Sequence, residues 1–406
     1  MAYPRPMTSP ARGPRPLRVL APLLVLLALP GVGGCAGGDP APSSSPGTTT
    51  APAPAGATAG EEADGSPPPD EVEVVVTGDV LLHPGLWAQA GADGAGELDF
   101  GPLVEGLRPF TEDADLAICD METPLAPPEG PFTGYPAFEV PPQIVPALAG
   151  IGYDACTTAT NHALDAGTAG LERTLATLED GGLAATGTAR SAAEAAQPLL
   201  LDADGVTVGL VTGTYGLNGN VPDEPWRVDL LEVPAMVEKA RRAREQGAEI
   251  VLAAVHAGEE YSSRPSPQQL QVNRALADSG QFDLVYGHHT HSVLPVEKHG
   301  DTWIVHGLGN SLSEHATRVP VNNEGLTVRA TFVRADGRWT ARPPVWVPHV
   351  LTVDPIRWCA LPAEEGCRSP EEDAASLART AATVDAMGAA EAGARPWRPL
   401  PGPAAP

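Results

Sequence analysis

"EIVLAAVHAGEE" (residues 249–260) decides the fold. Ile250 to Val255 is an unbroken apolar run with no polar face, so a strand built from it must be covered on both sides. The charged helical pattern at 234–246 and a second helix at 267–279 supply that cover. Strand, helix and strand in this order point to an α/β fold whose sheet is mostly parallel. The run ends in His256, which places an imidazole at a strand exit.

The same alternation extends in both directions. "VEVVVTGD" (72–79), "DLAICDME" (115–122), "YDACTTATNH" (153–162), "GVTVGLVTGTYG" (205–216) and "FDLVYGHHTH" (282–291) read as strands. "PPQIVPALAGIG" and "AGLERTLATLEDGG" read as helices, the second stopped at Gly181. Within "SVLPVEKHGDTWIVHGLGNS" the turn Gly300-Asp301 joins two strands that look antiparallel. Past residue 360 the apolar pattern fades: residues 370–394 can be helical, and "RPWRPLPGPAAP" reads as a loose tail. The folded domain is therefore set at 71–360, with an Ala/Pro-rich extension at 361–406.

The N-terminus reads as an address. Arg12, Arg15 and Arg18 precede the apolar run "VLAPLLVLLALPGVGG", and Cys35 follows. A basic region, a short apolar core and small residues before a cysteine mark residues 1–35 as a lipoprotein signal peptide, with Cys35 the lipidated residue. Val32 stands where Leu is usual in such a lipobox. Residues 36–70 contain Ala but no Val, Leu or Ile, too little apolar surface to offset ordering, and read as a disordered tether. This plan places the chain in the cell envelope, on the extracytoplasmic face of a membrane. Cys359 and Cys367 close a short loop and are expected to form a disulfide in such a compartment. Cys119 and Cys156 fall inside core strands and are expected to be small buried hydrophobes. With 51 acidic against 25 basic residues, the net charge is −26, which disfavours nucleic acid as a partner.

Ligands of such sheets gather where strands end. The exits here carry Asp79, Asp120 and Glu122, Asn161 and His162, His256, and the cluster His288, His289 and His291. His83 follows Asp79 by four residues. Oxygen and imidazole donors without thiolate suit Mn, Fe, Zn or Mg. A carboxylate such as Glu122 can bridge two cations, which together can stabilise the attacking and leaving oxygens of a displacement. His162 could protonate the leaving group. No Gly-x-Ser-x-Gly elbow appears, so a serine hydrolase has little support.

The segments "TGDVLLH", "DLAICDMETPL", "TATNHALDAGTAGLERTLATLEDGGLAATGT", "TYGLNG", "VHAGEEYSSRPSPQQ", "YGHHTHSVLPVE" and "HGLGNSL" resemble, in this order, the CapA family of poly-γ-glutamate capsule biosynthesis, related to calcineurin-like metallophosphoesterases. The resemblance implies a sandwich of two mixed β-sheets flanked by helices and a centre of two divalent metal ions. It implies Asp79, Glu122, Asn161 and His256 as ligands, with His162 beside the leaving group. The usual first motif is Asp-x-His, whereas here the candidate ligand His83 lies four residues from Asp79, and the doubled His leaves open whether His288 or His289 pairs with His291. It further implies a capsule polymer or a phosphoester as substrate, and membrane-bound polyglutamate synthase or export subunits as partners. Two functions follow: a surface-anchored metal-dependent hydrolase, or a non-catalytic assembly subunit of a polymer export complex. A donor at every ligand position favours the hydrolase. Asp165 and Glu260 are left as supporting or helix-capping residues.

Overall fold

The structure is a computed structural model and describes residues 69–363 and 365–399. The apolar leader, Cys35 and the tether up to residue 68 lie outside the described residues. Four strands open the chain: β1 (Glu71–Leu81), β2 (Leu116–Met121), β3 (Ala155–Thr157) and β4 (Ala184–Thr186). Next come β5 (Leu199–Ala203), β6 (Val206–Thr214), β7 (Ile250–His256), β8 (Leu284–His288), β9 (Val296–His299) and β10 (Thr302–Val305). The last are β11 (Asn310–Ser313), β12 (Glu324–Ala335), β13 (Arg338–Ala341), β14 (Val345–Leu351), β15 (Trp358–Ala360) and β16 (Arg395–Pro396).

Two mixed sheets result. One runs β5-β6-β7-β8-β10-β9, with a parallel centre and antiparallel edges. The other runs β15-β14-β12-β1-β2-β3-β4, with β11 against β1, β13 against β12 and β16 against β14. β7 shows why its sequence is apolar throughout. Ile250, Leu252 and Ala254 face Val72, Val74 and Val76 of β1 across the gap between the sheets. Val251, Ala253 and Val255 face outward, onto Met236 and Ala240 of the helix Val233–Glu245 and Leu276 of the helix Pro267–Asp278. Each fully buried Val, Leu or Ile contributes roughly 1.5–3 kcal/mol, so this strand alone ties three layers together. On the far side of the larger sheet, Val75, Ala117 and Cys119 pack on Leu103, Ile144 and Leu148. The architecture is α/β: two mixed sheets face to face, flanked by helices.

Three details differ from the sequence reading. The stretch 153–162 is a strand only over Ala155–Thr157; from Thr158 to His162 the chain turns at the edge of the centre described below. Cys119 and Cys156 are joined as a disulfide rather than lying as separate thiols, because β2 and β3 pair them directly, with Cα atoms 4.4 Å apart. The residues after 394 are not a loose tail throughout: Arg395–Pro396 pair with Val345–Trp346, and the Trp397 ring packs edge-on to Phe110 at 5.1 Å. Cys359 and Cys367 are joined, and the helix Pro370–Val384 is tied to β12 by Arg379 and Ser376 on Glu324. Among the described residues no helix is long and apolar enough to cross a membrane.

Candidate metal centre

The two sheets present matching rows of polar residues at one end. In the larger sheet the register aligns Asp79 of β1 with Asp120 of β2, and Asp120 with Thr157 of β3. In the smaller, Thr214, His256 and His288 are aligned across β6, β7 and β8. β1 is irregular here, its pairing with β2 shifting between Val76 and Asp79 and that with β11 between Asp79 and Val80. Such a bulge re-aims one side chain, and here it is Asp79. Gly78 permits the shift, since a Cβ there would overlap the carbonyl oxygen of Gly309, whose backbone runs alongside.

Seven side chains meet in three overlapping groups: Asp79, Asp120, His256 and His288; Glu122, His256 and His289; and Asp79, Glu122 and His291. Within each, the donor atoms lie within 4.8 Å of one another, and all seven residues are buried. His288 and His289 both reach the centre, in different groups. His289 and His291 have φ of +79° and +49°, left-handed conformations that non-glycine residues seldom adopt, costing on the order of 1–3 kcal/mol each. The loop is bent against its own preference to aim these rings inward.

Three of the four imidazoles, His256, His288 and His291, are oriented by a hydrogen bond at a ring nitrogen. His288 Nε2 is 3.0 Å from the Thr77 carbonyl oxygen, which leaves Nδ1 facing Asp120. His291 Nδ1 is 2.9 Å from Asn310 Oδ1 and 3.1 Å from Asp79 Oδ2, and Nε2 faces Glu122. His256 Nε2 is 2.7 Å from Asn161 Oδ1. Asn161 thus stands at the edge of the centre, hydrogen-bonded to one of its rings. His162 is adjacent, its Nδ1 2.5 Å from the Asp165 carboxylate, which also accepts the Phe138 N–H. Asp165 is therefore an orienting partner of His162. His83 lies outside all three groups: its Nδ1 accepts from the Glu314 N–H, and its ring sits 4.8 Å from His315 and 5.5 Å from Phe138. A turn placing His83 at the N-terminus of the helix Pro84–Asp93 holds it beside the centre rather than in it.

The electrostatics show what these residues lack. Burial, reinforced by Asp79 and Asp120, raises the Glu122 carboxyl well above its usual range despite His291. Burial opposes the charge on Asp120 too, but His288, His256 and the Thr157 hydroxyl hold its carboxyl low. Burial and then His256 and His291 depress His289 to about 2. Burial also opposes protonation of His291, yet Glu122 and Asp79 raise it to about 10. Buried polar atoms ordinarily have partners. Here Asp120 Oδ2, both Glu122 carboxylate oxygens and Nδ1 of His256, His288 and His289 have none. Three unpartnered oxygens on two buried carboxylates, Asp120 and Glu122, facing bare imidazole nitrogens, fit a divalent cation.

Two contributors were missed by the ligand set that the resemblance implies. Asp120 is visible in the sequence as a strand-end acid, two residues from Glu122 and so on the same strand face. Asn310, which orients His291 and whose Nδ2 lies 3.1 Å from His315 Nε2, carries no sequence signal beyond its place in "HGLGNSL".

The chain is 29% identical to the PGA biosynthesis protein CapA of Bacillus subtilis over 173 residues, 41% of this chain and 44% of that protein. It therefore spans less than half the length of that relative. It is 25% identical to a probable polyglutamine synthesis accessory protein of Mycobacterium tuberculosis over 294 residues, 61% of this chain and 76% of that one. Among solved structures, the calcineurin-like phosphoesterase YfkN from B. subtilis aligns over 77% of this chain and 97% of its own, with 13% identity and a TM-score of 0.43. Residues 73–315, most of the folded part, match the family described as bacterial capsule synthesis protein PGA_cap, and the chain belongs to that family.

Proposed function

We propose that the protein is a metal-dependent phosphoester hydrolase serving the synthesis or export of a capsule polymer such as poly-γ-glutamate. The observation that carries this reading is the set of buried carboxylate oxygens and imidazole nitrogens, delivered by both sheets and left without hydrogen-bond partners. Asp79, Asp120, Glu122, His256, His288, His289 and His291 would hold two divalent cations, Mn, Fe, Zn or Mg, with Asp79, Glu122 and His256 shared between groups and Asn161 at the edge. Bound there, the cations would supply positive charge for a phosphoryl group and acidify a water molecule. The protein's own part is positioning and proton delivery. Water oxygen bonds to phosphorus, the bond from phosphorus to the alcohol oxygen breaks, and the alcohol leaves with a proton. His162 is placed for that last step: Asp165 holds Nδ1, leaving Nε2 for exchange.

The names of the relatives, a PGA biosynthesis protein and a probable polyglutamine synthesis accessory protein, support a role beside the polymer-making machinery; membrane-bound synthase or export subunits are the partners this reading proposes. On this reading a signal peptide over residues 1–35, lipidation at Cys35 and a tether over residues 36–70 would hold the folded part at the outer face of the membrane. Two disulfides among the described residues suit that oxidising setting.

The test is metal content of the purified full-length chain by plasma mass spectrometry, with release of phosphate from model phosphomonoesters and His256→Ala alongside. Near-stoichiometric metal and turnover, with both reduced at least about a hundredfold in the variant, are expected. A chain that stays metal-free and inactive after reloading would instead be an assembly subunit.

A further inference from the structure

Two tyrosines stand over the His loop of the centre. The Tyr215 ring lies 4.5 Å from that of His289, and the Tyr261 ring lies 6.1 Å from His291 and 5.6 Å from His315. Both are half-exposed, at 43% and 44%. Both are also held by their backbones to the segments that carry the donors: the Tyr215 N–H donates to the His256 carbonyl at 3.0 Å, and the Tyr261 N–H to that of Thr290 at 2.7 Å. Tyr261 has φ +61°, strained for a bulky residue. The Tyr261 hydroxyl also meets His315 Nδ1 at 3.4 Å, so this ring is held at the rim while remaining partly open to water. Strain of this kind persists where the surroundings impose it, and it gathers at ligand sites.

The charges on the same rim narrow what the rings can meet. Glu260 lies near both phenols, and the strongest charged neighbours of Glu122, His289, His291, Tyr215 and Tyr261 are carboxylates, imidazoles and a phenol, with no Lys or Arg among them. A ligand carrying carboxylates next to its phosphate would meet the like-charged Glu260 carboxylate at the rim. A neutral ring presents a face that stacks on tyrosine without that cost.

We propose that Tyr215 and Tyr261 form a ring-binding rim that selects phosphomonoesters of neutral, ring-bearing alcohols. This rests on the phosphoesterase reading above. The two tyrosines are specificity residues that touch the alcohol part of the substrate, and His162 and the donor set act on the ester. The test compares three alkyl phosphomonoesters on the Mn-loaded full-length chain: glucose 6-phosphate, glycerol 3-phosphate and 6-phosphogluconate.

The expected order of kcat/KM is glucose 6-phosphate first, by about tenfold over the open-chain ester. The carboxylate-bearing ester should be the poorest. Tyr215→Ala and Tyr261→Ala should each raise KM for glucose 6-phosphate several-fold more than KM for glycerol 3-phosphate, and Tyr→Phe at either position should restore the ring preference. Equal kcat/KM for the three esters, or Ala variants that weaken ring and open-chain esters alike while the Phe variants melt as the parent does, would overturn the rim. Absence of turnover of any ester by the metal-loaded parent would overturn the phosphoesterase reading itself, and the rim with it.

Discussion

His288 spends its Nε2 on the carbonyl of Thr77, and so presents a bare Nδ1 to Asp120. At the scale of single residues the centre is built by such second bonds, and the partner of His291 is Asn310. Asn310→Ala keeps every donor but frees the His291 ring, and metal affinity should fall about 10–100-fold by chelator competition, with the melting profile of the metal-free chain little changed. Unaltered affinity would remove Asn310 from the site. The sequence could not single it out, because an amide acts here through distance and direction rather than through spacing from a ligand. Asp154 allows a separate test away from the centre. Burial, with Asp115 adding to it, raises its carboxyl to about 6 although the Ala117 N–H stabilises the charge. A folded pKa above the unfolded value means this group favours folding fully below about pH 4, and the advantage is lost as pH rises through about 6. Asp154→Asn should therefore stabilise the protein on the order of 2 kcal/mol at pH 7 and hardly at all at pH 4, read from thermal unfolding at the two pH values. An equal gain at both would mean that the charge is not what is felt.

At the scale of elements, β1 does the most. It pairs with β12, β2 and β11, and its irregular register at Gly78–Asp79 brings the carboxylate inward. Gly78→Ala would drive a methyl group into the carbonyl of Gly309. The expected outcome is a loss of about 1–3 kcal/mol in unfolding free energy, as for other overpacked sites, together with weaker metal binding, measured by denaturant titration and metal content of the same preparation. Full metal occupancy at reduced stability would show that the bulge does not aim Asp79. The elements differ in how legible they were. β7 could be read from its residues, because a strand covered on both faces leaves no choice of partner chemistry. The helix Gly167–Asp180 could too, from Leu171, Leu175 and Leu178 on one face and Gly181 at its end. β12 could not. Its Arg329 is half-buried within the sheet because Glu73 on β1 lies 2.6 Å away, a pairing across 256 residues that leaves no local trace. β3 was overread, since Thr158–His162 has strand-like composition and is needed instead for the turn that carries Asn161 and His162.

At the scale of the whole molecule, the C-terminal segment closes the larger sheet. The Trp397 N–H donates to the Trp346 carbonyl at 2.7 Å, and its ring meets Phe110. Trp397→Ala should cost on the order of 2 kcal/mol, since the ring is only partly buried, and should lower Tm by roughly 2–4 °C by calorimetry, without change in metal content. An unchanged Tm would mean that the tail merely rests on the sheet. The Asp79–His291 contact spans 212 residues, and β1 and β2 supply one half of the donors while β7, β8 and the loop after it supply the other. Neither half is a site by itself. A cation that needs both can be captured only when the two sheets have met, which by the cost of long-range closure is a late event in folding. Chronology then matters to composition. For sites of mixed oxygen and imidazole donors, which metal is held depends strongly on which is available. An ion held at this centre would thus record the place where folding of the chain was completed.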